Sequence, residues 1–296
     1  MSLATMRGID ARTRFINNGY PMSSKLKDKR VAILGAGKIG GILLRAFLQK
    51  GLVSPKHARA TVKHPERAKE LSKALDIAVT TDNRAAAAGA DIVIIAVKPV
   101  VVTEVAQEIH GELGPKTLVI SVAASVPTSL LEQKLPPNVP VIRAMPNTPC
   151  AIGCGMTGLA KGTHATPADL ELARELFESV GKVAVVDEKL MDAVTALSAS
   201  GPAFIYVILE SLAEAGVKTG LSRETATLLA AQTMSGAAQM VLVTGDHPAL
   251  LKDGVTTPAG CTIDGLMELE DGKVRVTLIK AVVKAAQRAR ELMFDK

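Results

Sequence analysis

The chain has 296 residues, of which 48% are hydrophobic, 22% charged and 2% aromatic, with 24 Gly, 15 Pro and no Trp. This composition excludes disordered, collagen-like and disulfide-scaffold proteins, and so few rings argue against a stacking platform for single-stranded nucleic acid. The formal charge of +6 comes mostly from residues 1–30, where Arg7, Arg12, Arg14, Lys25, Lys27, Lys29 and Arg30 face Asp10 and Asp28; the rest holds 28 basic and 27 acidic side chains, so no nucleic-acid groove is expected.

Residues 1–30 are polar, broken by Asn17-Asn18-Gly19 and Tyr20-Pro21, and lack the apolar core of a secretory signal. They read as a disordered extension, with an organelle-targeting segment as the alternative. From Val31 the grammar changes. β-rich runs are expected at 31–34, 58–62, 77–80, 91–97, 117–122, 139–143, 156–160 and 182–186. Helical stretches separate them: one to Lys50 stopped by Gly51, then 65–75 opened by a proline, 103–113, 127–135 and 167–180. Continuous Val/Ile runs between helices predict a parallel, doubly wound α/β sheet covered on both faces, over 31–187.

From 188 to 296 the strands stop, and an all-helical domain is expected. A helix over 188–199 is broken by Ser200-Gly201-Pro202, and another runs from Ala203 to Ala215 and closes at Gly216. Ser222 caps a third that reaches about Val243, and 262–270 and 273–293 complete the set. These segments carry more apolar surface than a solitary domain buries, so a second subunit should cover it. No uninterrupted apolar run approaches the roughly 18 residues that span a bilayer, so no membrane partner is expected.

Gly35-Ala36-Gly37-Lys38-Ile39-Gly40 follows the first strand and opens the first helix. Glycine at 35 permits the turn, at 37 lets a pyrophosphate approach, and at 40 lets helix and strand pack; the helix N-terminus faces the phosphates. Enzymes that take NAD place an acid about 20 residues past the last glycine. Here Thr61-Val62-Lys63-His64-Pro65-Glu66-Arg67 has no carboxylate at the strand end, and Lys63 with Arg67 suits the 2′-phosphate of NADPH, with NADH as the alternative. Ala96-Val97-Lys98-Pro99 and Met145-Pro146-Asn147-Thr148-Pro149 end two further strands, on the edge where ligands bind in open sheets, and Asn147 could present its carboxamide there.

Thr256-Thr257-Pro258-Ala259-Gly260-Cys261-Thr262 is a hydroxyl-rich loop leading into a helix. It reads either as a small-anion site or as a helix cap made by Thr262. Asp264 and Glu268 lie four apart and read as a solvated helix face, while Lys252 and Asp253 could hold the loop's shape. Cys150, Cys154 and Cys261, an odd count, suit a reducing compartment, hence the cytoplasm. No metal site is expected from them or from the five scattered histidines.

The chain resembles the Δ1-pyrroline-5-carboxylate reductase family from about residue 30 to 293. Four blocks carry the resemblance: 96–99, 143–149, Ser198-Ala199-Ser200-Gly201-Pro202-Ala203-Phe204, and Val255 to Thr262 preceded by Leu251-Lys252-Asp253. Relatives often carry Gly, Ala and Ser where this chain has Ala199, Cys261 and Thr257. The resemblance implies NAD(P)H-dependent reduction of a cyclic imine to L-proline. It implies a cofactor held by 35–40, Asn83, the 96–99 loop, Ala123, Ala124 and Asn147. It places the substrate carboxylate near Val255, Thr257 and Gly260, and the Thr262 hydroxyl beside the imine nitrogen as the catalytic contact. It also implies an interlocked homodimer, assembled into a decamer or another ring of dimers. Two other readings stand beside it: an NADP-dependent hydroxy-acid dehydrogenase, for which Lys98 would be the acid–base, and a cofactor-binding sensor without catalysis.

Overall fold

The computed structural model describes residues 24–292. Residues 1–23 of the expected N-terminal extension thus lie outside the described residues. Its last part does not behave as an extension. Ser24–Lys27 forms a short helix, α1, whose Leu26 is buried in the core, because an apolar side chain next to the first strand finds cover there.

The sheet domain follows in chain order: β1 (Val31–Leu34), α2 (Lys38–Gln49), β2 (Ala58–Thr61), α3 (Pro65–Leu75), β3 (Ala78–Thr80), α4 (Asn83–Ala87), β4 (Ile92–Ile95), α5 (Val102–Glu108), β5 (Leu118–Ser121), α6 (Thr128–Glu132), β6 (Val141–Met145), β7 (Gly155–Lys161), α7 (Pro167–Glu178) and β8 (Gly181–Val185). The strand order is β3-β2-β1-β4-β5-β6-β7-β8. Successive residues of each strand feed opposite faces. Val31, Ile33, Ile92 and Ile94 join Leu43, Phe47, Leu71 and Phe177 in one apolar layer, where Phe47 and Phe177 meet edge to face at 6.4 Å. Ala32, Leu34, Val93 and Ile95 join Val102, Val105 and Leu131 in the other.

The sheet departs from the expected all-parallel form at one place: β7 runs antiparallel to β6, with Ile142 opposite Lys161 and Met145 opposite Gly158. A parallel return needs a crossover of a dozen or more residues. The link here is a single 3₁₀ segment, Thr148–Ile152, closed by Gly153.

The helical part comprises α8 (Met191–Val194), a π-helical turn (Thr195–Ala199), α9 (Gly201–Lys218), α10 (Arg223–Thr244), α11 (Pro248–Gly254), α12 (Cys261–Asp271) and α13 (Val274–Glu291). Ser200-Gly201-Pro202 does not break the chain as expected. The Ser200 amide donates to the Thr195 carbonyl five residues back, 2.9 Å, and this wider turn makes room for the proline ring while the helix continues. Nor does α9 stop at Gly216. Ser222 caps α10 as expected, accepting from the Thr225 amide, and Gly245 closes it at φ +72°.

Glu188–Lys218 and Arg223–Thr244 are long and apolar enough to cross a membrane by length and composition, with mean hydropathy 1.4 and 1.3. The expectation that no segment meets this test rested on uninterrupted runs and is corrected. Their apolar faces carry Ile205, Tyr206, Val207, Leu228, Leu229 and Leu242, all exposed in the single chain. α13 returns to pack on α8 and the π turn, and there the Ala289 carbonyl accepts from the Ser125 hydroxyl at 2.6 Å.

Candidate active site

The loops after β1, β4 and β5 lie side by side. Gly35 has φ +92°, and a Cβ there would meet Val97 Cγ1 at 2.7 Å and the Ala96 carbonyl oxygen at 3.0 Å. A side chain at 35 would therefore be strained and would also push the 96–99 loop away. The Ala96 amide donates to Leu34 and the Val122 amide to Ile95, which carries the row on to buried Ala123 and half-buried Ala124. Lys98 is exposed, and half-buried Pro99 opens a 3₁₀ turn.

Gly37 is the N-cap of α2 and has no side-chain cap, so the first-turn amides of Lys38, Ile39 and Gly40 remain open to an anion. A Cβ at Gly37 would meet no protein atom within 4 Å. A backbone bare on this side, at a helix N-terminus, fits a pyrophosphate. A cleft of about 530 Å³ continues from it, lined by Gly37, Lys38, Arg45, Lys63, His64 and Arg67 among others. No carboxylate lines it, which suits a further phosphate. Arg67 is engaged by Glu70 at 2.9 Å, while Lys63 has no ion pair among the described residues. Arg45, on the third turn of α2, is a cation that the motif spacing did not point to.

Asn83 opens α4 and is held on both sides. Its Oδ1 accepts from the Thr61 hydroxyl at 2.7 Å, and its Nδ2 donates to Glu108 at 2.8 Å. One Nδ2 hydrogen is left for a ligand.

Asn147 is also held on both sides within the protein. It is buried, its Oδ1 accepts from the Met156 amide at 2.9 Å, and its Nδ2 donates to the Ser198 carbonyl at 3.2 Å. The carboxamide ties the sheet to the π turn and, as at Asn83, keeps one Nδ2 hydrogen. Cys150, three residues on, is buried, which pushes its thiol up from the ordinary range; Cys154 and Cys261 are exposed.

Behind this loop lies a charge cluster that the sequence reading missed. Arg143 of β6 is buried and sits 3.7 Å from Glu188 and 3.6 Å from Asp192. Glu188 also accepts from the Thr128 amide and hydroxyl, both at 2.7 Å, and Asp192 lies 3.6 Å from Arg290 of α13. Burial lowers the Arg143 pKa, and Glu188 and Asp192 act against that effect.

The second loop lies in the helical part. Gly260, not Thr262, is the N-cap of α12, which removes the helix-cap reading of Thr262. A Cβ at Gly260 would come 2.5 Å from Thr257 Oγ1, so the loop is drawn tight, with the Gly260 amide donating to the Thr257 carbonyl at 3.1 Å. Thr256 donates to Lys252, whose ammonium sits 2.8 Å from Asp253. Thr257 and half-buried Thr262 have hydroxyls without a hydrogen-bond partner among the described residues, and Val255 is exposed. The loop's hydrogen bonds stay within the helical part. The residues of the glycine turn and of the loops after β4 and β5 therefore assemble on one sheet edge, and those of the hydroxyl-rich loop form a separate cluster.

Residues 188–292 match the family described as pyrroline-5-carboxylate reductase dimerisation, and residues 30–125 match NADP oxidoreductase coenzyme F420-dependent. The chain is 42% identical to a pyrroline-5-carboxylate reductase of Methanosarcina acetivorans over 267 residues, covering 90% of this chain and 99% of that one. The structure of a Plasmodium falciparum pyrroline carboxylate reductase with NADP bound matches at a TM-score of 0.82 and 28% identity, over 90% of this chain and 99% of that one. A pyrroline-5-carboxylate reductase from Coxiella burnetii matches at 0.82 and 35%, over 89% and 98%. With the glycine cradle, the helical second half and both loops inside the aligned span, the chain belongs to the pyrroline-5-carboxylate reductase family.

Proposed function

We propose that this protein reduces 1-pyrroline-5-carboxylate to L-proline, the last step of proline biosynthesis, with NADPH preferred over NADH. The observation that carries the reading is one chain holding both the bare glycine cradle and the tight hydroxyl loop, within a family match spanning its described length. The acid-free, cation-lined cleft at Lys63 supports the preference for the 2′-phosphate.

Bound NAD(P)H supplies a hydride to the C=N carbon. The chain binds and orients. The Gly35–Gly40 turn and the loops at Ala96–Pro99 and Ala123–Ala124 set the nicotinamide edge. Val255, Thr257 and Gly260 hold the substrate carboxylate with loop amides and a hydroxyl, and the Thr262 hydroxyl orients the ring nitrogen. Alignment of two bound reactants is worth up to roughly 7–11 kcal/mol, so a strong general base is not required.

The dimerisation-family match makes the chain a homo-oligomer. We read the exposed faces of α9 and α10 as the surface a second copy covers, in a dimer built further into a ring of dimers, up to a decamer. Light scattering on the purified protein measures the number of copies. The three free thiols fit a reducing compartment, and we place the protein in the cytoplasm.

The test is oxidation of NADPH, then of NADH, by purified protein with pyrroline-5-carboxylate. Rapid oxidation yielding proline is expected. Cofactor binding without oxidation would favour the hydroxy-acid dehydrogenase or the sensor.

A further inference from the structure

Thr61 closes β2 and is 3% exposed. Its backbone carbonyl accepts from the Ala36 amide, and its side chain stands under the glycine turn. The Gly35 amide donates to Thr61 Oγ1 at 2.9 Å, and Thr61 Oγ1 donates to Asn83 Oδ1 at 2.7 Å. Asn83 Nδ2 then donates to Glu108 Oε2 at 2.8 Å.

The direction of this chain is fixed by what each group can do. An ionised carboxylate only accepts, so Glu108 calls for the NH₂ end of Asn83. That orientation leaves Asn83 Oδ1 facing Thr61. A hydroxyl carries one hydrogen, and with it given to Asn83 the lone pairs of Thr61 are free for the Gly35 amide. An exposed acid on α5 thereby sets, through two side chains, where the first glycine of the turn sits.

We propose that Thr61 is a positioning residue for the dinucleotide: its hydroxyl anchors the Gly35 turn to β2, and through Asn83 it ties the turn to Glu108. The proposal rests on the dinucleotide reading of that turn. Sequence spacing assigns no part to Thr61, because a threonine at a strand end is ordinary β chemistry.

Thr61→Val is nearly isosteric and suits a buried strand, so the fold should tolerate it, but it leaves the Gly35 amide without its acceptor. Titration of the apo-protein with NADPH, followed by nicotinamide fluorescence, is expected to show a dissociation constant raised about five-fold, the equivalent of one net hydrogen bond. Thr61→Ser keeps the hydroxyl and is expected to restore most of the affinity, a rescue that loss of packing would not produce. Glu108→Ala, at an exposed position, lets the Asn83 amide turn over and is expected to weaken binding by about two-fold. Wild-type affinity in Thr61→Val, or Thr61→Ser binding no better than Thr61→Val, would overturn the proposal. Absence of NADPH binding by the unaltered protein would overturn the dinucleotide reading itself, and the proposal with it.

Discussion

The Asn147 side chain donates to the Ser198 carbonyl at 3.2 Å, where the helix itself has no donor to offer, since the residue four positions on is Pro202. The same carboxamide accepts from the Met156 amide at 2.9 Å. One buried side chain therefore satisfies two backbone groups, one at the antiparallel turn of the sheet and one at the π turn. The proline is tolerated within a continuous helix because a residue of the other domain completes its hydrogen bonding.

Asn147→Ala should cost stability at both ends. A group left unpaired out of water's reach costs about 1–3 kcal/mol, and the two left here are part-buried, so a loss of roughly 2–4 kcal/mol in urea unfolding, below the full sum of about 2–6, is expected. A change below 1 kcal/mol would mean that water replaces the carboxamide.

Gly37 and Gly40 share one motif but should fail in different ways. A Cβ at Gly40 would lie 2.3 Å from the Gly35 carbonyl oxygen and 3.0 Å from Ala96 Cβ, so Gly40→Ala must deform the turn. It should lower the melting temperature of the apo-protein. Gly37 has open space in the protein, but its φ of −78° pairs with a ψ of −140°, outside the regions that residues with a Cβ favour. Gly37→Ala should lower that melting temperature less than Gly40→Ala does, yet weaken NADPH by at least about ten-fold, or 1.4 kcal/mol, as the methyl meets the pyrophosphate. Calorimetry of both variants with and without NADPH separates the two effects.

Lys63 should contribute more to cofactor choice than Arg67, because Arg67 must first release Glu70. A charge-assisted hydrogen bond is worth about 1.5–3 kcal/mol, so Lys63→Ala should raise the KM for NADPH roughly 10- to 150-fold, with the KM for NADH nearly unmoved. Arg67→Ala should give the smaller effect of the two. Steady-state kinetics with both cofactors decide this, and equal losses for NADPH and NADH would remove the 2′-phosphate contact.

Residues whose part is set by local grammar were legible before the fold was known. The four residues of β1 flow into Gly35 and α2, and period and glycine spacing suffice to read them. What stayed hidden depends on contacts far apart in sequence. Thr61 meets Gly35 because β2 pairs with β1, Ala60 beside Ile33. Arg143 finds Glu188 and Asp192 beyond two strands and a helix. Ser200-Gly201-Pro202 reads as a stop because local propensity disfavours helix there, and the residue that repairs it, Asn147, is 51 positions from Ser198. Apolar helix faces signalled a partner, yet interruptions by Thr, Ser and Gln concealed that two of them reach membrane-spanning length and hydropathy.

Thr262→Ala should slow turnover without stopping it. The hydroxyl has no hydrogen-bond partner among the described residues, so its removal should leave the melting temperature unchanged. A polar group that loses its partner is worth about 1–3 kcal/mol, which corresponds to a fall in kcat/KM of roughly 5- to 150-fold. Wild-type kinetics in this variant would withdraw the contact with the ring nitrogen.

The Arg143 cluster allows a test whose sign depends on which charge is left buried. The Arg143 side chain is 5% exposed, whereas Glu188 and Asp192 are 27% and 21% exposed. Taking both acids away in Glu188→Gln/Asp192→Asn strands a buried guanidinium already disfavoured by desolvation, and should cost about 3–5 kcal/mol in urea unfolding. Arg143→Met leaves acids that water can still reach, so its cost should be smaller, about 1–3 kcal/mol. The triple variant removes every charge of the cluster except Arg290 and should be more stable than the double variant. If it is less stable, the loss in the double comes from Thr128 and packing, and the stranded charge is not its cause.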